Sequence, residues 1–266
     1  MPKEARSYLR SAIKNVLAHP LTRGLNVDDP RTSVLRRQII QEKKFLRQIY
    51  QEWYRLLRFS MPSGKGFVLE IGSGAGFLSE FFPDLIASDV IYRRGIKIVL
   101  DGHHLPFADG TLKAIVMIDV LHHMSRARDF FLSAARSVRA GGVIAMIEPW
   151  VSSWSKLIFM NLHDEPFEPG AGEWEFQTSG PLSGANAALP WILFERDRAR
   201  FEHEFPQWQI HTLEPMMPLC YLVSGGVSLR SLMPAFSFRA WRAIEKIVSR
   251  INNLSLFALI VLRRVR

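Results

Sequence analysis

From Gly66 to Glu148 the chain alternates short apolar runs with stretches of helical spacing, the pattern of a parallel sheet with helices on its faces. Strands are expected at Phe67–Ile71, Leu85–Ser88, Ile96–Leu100, Ala114–Asp119 and Val143–Ile147. Helices fit Phe77–Phe82 and Arg128–Arg139, the second ended by Gly141-Gly142. Only Asp89 to Gly95 separate the second and third strands, which predicts a shortened connection there. Residues 149–207 lose the alternation and carry Trp150, Trp154, Trp174 and Trp191, so they read as an insertion or lid. A strand near Gln209–Leu213, a helix at Phe236–Ile251 and a last strand at Leu256–Leu262 follow. Upstream, Ala5, Tyr8, Leu9, Ala12, Ile13, Val16 and Leu17 form one stripe over Glu4 to Ala18, with Lys3, Arg6, Arg10 and Lys14 opposite: a basic amphipathic helix. Asp29-Pro30 then reads as the start of a long helix reaching Phe59, with Leu35, Ile39, Leu46, Ile49, Trp53 and Leu56 on its apolar side.

Charge and composition narrow this picture. Residues 1–66 hold 14 Lys/Arg against 5 Asp/Glu, which accounts for the whole formal net charge of +9. Such a segment suits an anionic lipid surface, nucleic acid or an acidic partner, and equally a solvated helix face. The single cysteine, Cys220, lies in an apolar stretch, which excludes a disulfide framework and fits a reducing compartment. The charged start lacks the apolar core of a secretory signal, and the run Leu256 to Leu262 is too short to span a bilayer. A cytoplasmic protein is expected, with the basic helix as a candidate contact to a membrane surface.

The chemistry gathers at strand ends. In Val68-Leu69-Glu70-Ile71-Gly72-Ser73-Gly74-Ala75-Gly76-Phe77 an apolar strand runs into a glycine turn and then a helix. Glycines let the backbone turn sharply and approach a ligand closely. A dinucleotide site would place its third glycine one position later, where Phe77 stands. Asp89, at the tip of the second strand, can accept two hydrogen bonds from a ribose diol, and Asp101 can accept from an exocyclic amine. The fourth strand ends in Asp119-Val120-Leu121-His122-His123-Met124, on the edge where open α/β sheets bind ligands.

In this order the motifs resemble the class I S-adenosylmethionine-dependent methyltransferases, most closely the small-molecule branch that includes quinone C- and O-methyltransferases. The match consists of E-x-G-x-G-x-G at 70–76, Asp89, D-G-x-x-L-P-F at 101–107, V-L-H-H at 120–123 and R-A-G-G-V-I-A-M-I-E-P at 139–149. The resemblance implies a Rossmann-like seven-stranded sheet with an antiparallel last strand and helices on both faces. To this an N-terminal helical cap (1–65) would add, and the methyltransferase domain would occupy 66–266 with the lid at about 149–207. It implies S-adenosylmethionine as cofactor. Glu70, Gly72, Ser73, Gly74 and Gly76 would line its methionine end, Asp89 its ribose, and Asp101 and Gly102 its adenine. Asp119 and Leu121 would flank the methyl-bearing sulfur. The short connection after the second strand, and Leu112-Lys113 where the family commonly has F-D, depart from its pattern.

Methyl transfer from a sulfonium needs alignment and a dry site, and a base only when the acceptor must lose a proton. His122 and His123 are candidates for base or substrate contact, and Glu148 for substrate contact. His163, Asp164 and Glu165 are metal-ligating types, but without a second histidine or a cysteine close in sequence they read as a solvated loop, and no metal is expected. The tryptophans of the insertion suit an apolar pocket for a small or lipid-like acceptor. No N/D-P-P-Y/F run follows the fourth strand, which favours O- or C-transfer. Two alternatives are an RNA methyltransferase that uses the basic segment, and a membrane-binding module with a vestigial pocket.

Overall fold

The computed structural model describes residues 17–22, 31–92, 94–163, 165–178, 180, 184–249 and 253–265. The expected basic helix Glu4–Ala18, except for its last two residues, and the Asp29-Pro30 start lie outside them.

Seven strands form one mixed sheet: β1 (Phe67–Ile71), β2 (Leu85–Asp89), β3 (Ile98–Val99), β4 (Leu112–Ile118), β5 (Val138–Pro149), β6 (Trp208–Met216) and β7 (Phe257–Arg264). Their spatial order is β3-β2-β1-β4-β5-β7-β6. The first five pair in parallel, whereas β7 runs antiparallel to both β5 and β6. The central strands are buried on both faces, which is why β4 and β5 read as near-continuous apolar runs.

Alternate residues feed two cores. Leu69, Ile71, Ile115, Met117, Ile144 and Met146 face α3 (Ala127–Ser137), with its Phe130 and Phe131, and Phe201 of α5 (Arg198–Glu204). Val68, Ala114, Val116, Val143, Ala145 and Ile147 face α2 (Lys44–Phe59), Cys220 of α6 (Cys220–Ser224) and Phe238 of α7 (Phe238–Val248). Among these, each buried Val, Leu, Ile, Met or Phe side chain contributes about 1.5–3 kcal/mol of transfer free energy.

Several expected elements differ in extent. The long N-terminal helix is two: α1 (Arg31–Glu42) and α2, parted at Lys43, whose φ of −83° and ψ of 79° leave the helical region. Lys43 is buried and donates its ammonium to the carbonyls of Gly226 and Leu229, so a distant loop breaks the helix. The helix expected at Phe77–Phe82 is only a 3₁₀ turn, Leu78–Glu80. Helix α3 stops at Ser137 rather than Arg139, because Val138 already pairs with Leu112. Gly141 and Gly142 do not end it; they lie within β5, where its pairing with β4 slips between Leu112 and Ala114. A Cβ on Gly142 would stand 2.7 Å from the carbonyl oxygen of Lys113, so only glycine allows that approach. No helix joins β2 to β3 among the described residues, as the short spacing predicted.

The segment after β5 is partly helical. Helix α4 (Ser153–Leu162) opens with a reciprocal capping box between Ser152 and Ser155, and a π-helical turn at Ile192–Arg196 precedes α5. Trp174 is fully buried there and donates to Asp197 Oδ2 at 2.8 Å. No helix among the described residues is long and apolar enough to cross a membrane.

Candidate active site

One cavity opens at the carboxyl ends of β1, β2, β3 and β4, where the parallel strands deliver their loops. Glu70, Gly72, Ser73, Gly74, Asp89, Asp101, Gly102, Asp119 and His123 all line it. Gly76, Leu121, His122 and Glu148, named with them from the sequence, do not.

The glycine turn is held from three sides. Ser73 donates its hydroxyl to Glu70 Oε2 (2.7 Å) and its amide to the Ser88 carbonyl (2.8 Å). Gly74 donates its amide to Asp89 Oδ2 (3.1 Å), so the carboxylate on β2 also steadies the turn. Arg37 of α1 donates to the Ala75 carbonyl (2.5 Å). Gly72 and Gly74 have φ of +67° and +45°, a region that L side chains rarely adopt. A Cβ on Gly72 would stand 2.4 Å from Val120 Cγ2, and one on Gly102 would stand 2.8 Å from Met124 Cε. At Gly74 the nearest atom to such a Cβ is the Gly72 carbonyl oxygen at 3.6 Å, so the turn leaves its backbone open to a ligand. This bare cradle, between a carboxylate on β2 and another after β3, fits an adenosyl group bearing a methionine tail.

Asp101 accepts from the His103 amide (3.0 Å) and imidazole (2.5 Å) through Oδ1. Burial pushes its carboxyl up, but these bonds outweigh it and hold the group below its ordinary range.

The opposite end of the cavity is built differently. Asp119 adopts φ +62°, an uncommon conformation for a residue other than glycine, and its side chain is 41% exposed. Although partly open to the cavity, it is enclosed by the surrounding protein, and this desolvation, with Glu165 and Glu148 nearby, raises its carboxyl against the pull of His122. Glu148, at the end of β5, is fully buried: Oε1 accepts from the Val120 (2.9 Å) and Leu121 (2.8 Å) amides, and Oε2 faces His122 Nδ1 at 2.8 Å. It shapes the turn after β4 from behind the wall. His122 is buried as well, with Nε2 lying 3.2 Å from Glu165 Oε2. Burial alone would lower this imidazole; the Glu148 and Glu165 contacts hold it well above the ordinary histidine range.

His123 stands at the cavity edge with Nδ1 3.2 Å from the Gly184 carbonyl and Nε2 3.7 Å from Glu165 Oε1. A carbonyl only accepts, so Nδ1 carries the hydrogen and Nε2 the lone pair. Burial, reinforced by the neighbouring His122 charge, lowers His123 to about 4. Glu165 belongs to the stretch expected to be solvated, yet it packs against both histidines; its carboxyl lies well below the usual range because burial is outweighed by His122.

The sequence reading missed Arg36, Ile40, Tyr50 and Tyr54, which close the cavity from α1 and α2. Tyr50 and Tyr54 stand four residues apart on one helix face, a spacing legible in the sequence but passed over beside the aliphatic stripe. Burial, then the charge of Asp119, pushes the Tyr50 phenol up, so it remains a hydrogen-bond donor.

Residues 69–146 match the family model of a methyltransferase domain. Among solved structures, geranyl diphosphate C-methyltransferase from Streptomyces coelicolor A3(2), in complex with Mg2+, geranyl-S-thiolodiphosphate and S-adenosyl-L-homocysteine, superposes with a TM-score of 0.52 at 14% identity, covering 97% of this chain and 92% of that one. A SAM-dependent methyltransferase from Archaeoglobus fulgidus gives a TM-score of 0.50 at 13% identity over 82% and 94%. At these identities the likeness is one of fold. A different, short likeness joins 64 residues to the iron-binding protein IscA of Klebsiella pneumoniae at 38% identity, covering 21% of this chain; the chain spans 60% of that protein's length. The match over residues 69–146 marks that stretch as a methyltransferase domain, and the superpositions give the chain the fold of these solved methyltransferases.

Proposed function

We propose that the protein transfers the methyl group of S-adenosylmethionine to an oxygen or carbon of a small or lipid-like acceptor. The observation that carries this reading is the two-ended cavity. The strand order β3-β2-β1-β4 sets the Asp101 and Asp89 carboxylates on one side of the bare glycine turn after β1, and Asp119 and His123 after β4 on the other, with Tyr50 within reach of the Asp119 charge.

The cofactor supplies an electrophilic methyl on a sulfonium, displaced in line by the acceptor. In this reading Glu70, Ser73 and the Gly72–Gly74 backbone hold the methionine end, Asp89 the ribose and Asp101 with Gly102 the adenine. Asp119 closes the sulfur side. Tyr50 donates a hydrogen bond to the acceptor, and Arg36 adds a positive charge to the same wall. His123 Nε2 takes the proton from an acceptor hydroxyl, and Glu165 at 3.7 Å stabilises the imidazolium formed. An imidazole lowered to about 4 is a weak base, which suits a proton that leaves as the new bond forms. Buried His122 and Glu148 position the histidine turn without touching substrate.

Calorimetric titration of wild type and Asp89→Ala with S-adenosylmethionine and S-adenosylhomocysteine tests the reading. Saturable binding to wild type, lost in the variant, is expected. Folded wild type that binds neither compound would overturn it.

A further inference from the structure

We propose that His122, His123 and Glu165 form a binding site for one divalent first-row transition-metal ion beside the acceptor end of the cavity. Their donor atoms all lie within 4.8 Å of one another, with His122 Nε2 to Glu165 Oε2 at 3.2 Å and His123 Nε2 to Glu165 Oε1 at 3.7 Å. Metal–ligand bonds of about 2.1 Å put neighbouring donors about 3.0 Å apart in octahedral and about 3.4 Å apart in tetrahedral geometry. The 3.2 Å spacing already falls in this range and the 3.7 Å spacing, to the other oxygen of Glu165, lies just beyond it; with the three donors spread over as much as 4.8 Å, the side chains must draw together on an ion.

The surroundings of the two rings are an independent observation. A ligating histidine usually gives its other ring N–H to a carboxylate or a backbone carbonyl, which fixes the tautomer and aims the lone pair. Both histidines have such a partner: Nδ1 of His122 lies 2.8 Å from Glu148, and Nδ1 of His123 lies 3.2 Å from the Gly184 carbonyl. Both Nε2 atoms turn to the one carboxylate. For His123 this sets a lone pair against a carboxylate oxygen, two acceptors that an ion between them would reconcile. A second grouping, Asp119, His122 and Glu148, would use the Nδ1 side, but Glu148 is already engaged by two backbone amides and His122 there.

Two imidazoles and one carboxylate suit Mn2+, Fe2+, Co2+ or Zn2+ better than Mg2+ or Ca2+, which favour all-oxygen sites. Three protein ligands leave positions open, and His123, the one of the three that lines the cavity, would turn an open position toward the acceptor. Metal and proton compete for the same Nε2 lone pair; a loaded site would activate the acceptor through the ion instead of through a free base. The inference rests on these side chains and not on methyl transfer, so the two stand or fall separately.

The test titrates Co2+ into chelator-treated full-length protein, following d–d absorption and calorimetric stoichiometry, with Glu165→Gln and His123→Gln as variants checked for folding by circular dichroism. One equivalent per chain is expected, with affinity at least tenfold weaker in each variant. Folded wild type that binds no Co2+ or Zn2+ at millimolar concentration overturns the proposal, as does binding that neither variant weakens. The same samples titrated with S-adenosylmethionine keep the outcomes apart: cofactor binding without metal binding rejects the metal site alone.

Discussion

Lys43 donates its ammonium to the carbonyl oxygen of Gly226, a residue 183 positions further along the chain. Its second acceptor is the Leu229 carbonyl at 2.7 Å, and Arg36, Ile40, Tyr50 and Tyr54 on the two helices that meet at Lys43 all line the cavity, as does Val227. The bend at Lys43 therefore brings α1 and α2 over the site together with the loop that follows α6.

Burial lowers Lys43 to about 8 from its ordinary 10.5. Between those values the unfolded chain binds more protons than the folded one, so this residue makes stability rise with pH from about 8 to about 10.5. Urea midpoints of wild type and Lys43→Met across that window should show a positive slope that the variant lacks. The variant should also be less stable at pH 9, by about 1–3 kcal/mol, because two buried carbonyls lose their donor. Equal slopes in the two proteins would show that Lys43 is not desolvated.

Gly72→Ala should lose most of its affinity for S-adenosylmethionine. The new Cβ would meet Val120 Cγ2 at 2.4 Å and would sit at φ +67°. Adding Val120→Ala removes the clash but not the backbone cost of about 1–2 kcal/mol for an L residue there. Calorimetry should find the double variant intermediate between the single variant and wild type. A double variant no better than Gly72→Ala would assign the whole effect to backbone conformation.

The positions of the early strands and the glycine cradle were legible because both are local: β1 occupies Phe67–Ile71 as the apolar run predicted, and the turn that follows has the positive φ values its glycines permit. What escaped the sequence depends on contacts across long separations. The helix break at Lys43 answers a loop 183 residues away, and Glu165 approaches His122 from 43 residues downstream. The Gly141-Gly142 pair misled for a different reason. Paired glycines after a helical pattern signal a helix end, yet here they serve the slip of β5 against β4.

Two guanidiniums, those of Arg128 and Arg200, each lie 4.6 Å from a Trp174 ring centroid, and Arg128 also pairs with Glu204 and Glu175. This ties the 165–178 segment, which carries Glu165, to α3 and α5. Trp174→Ala should cost about 3–5 kcal/mol and should expose the segment to limited proteolysis before global unfolding. Cleavage that tracks global unfolding instead would show that the segment is held without the tryptophan.

The two ends of the cavity should separate kinetically. Tyr50 lies on the wall with Asp119 and His123, and removing its hydroxyl leaves the ring packed against Trp53 and Tyr54. Tyr50→Phe should leave cofactor affinity unchanged and lower kcat/KM for the acceptor about tenfold, the loss of one hydrogen bond of about 1.4 kcal/mol. Asp101→Asn should do the reverse. Its carboxylate stands after β3 beside Gly102, so weaker S-adenosylmethionine binding with little change in kcat at saturating cofactor is expected. If Tyr50→Phe weakened cofactor binding while Asp101→Asn changed only acceptor kinetics, the cofactor would lie in the opposite sense, with its sulfonium pointing away from His123. Neither histidine could then serve as the base, whatever ion the pair binds.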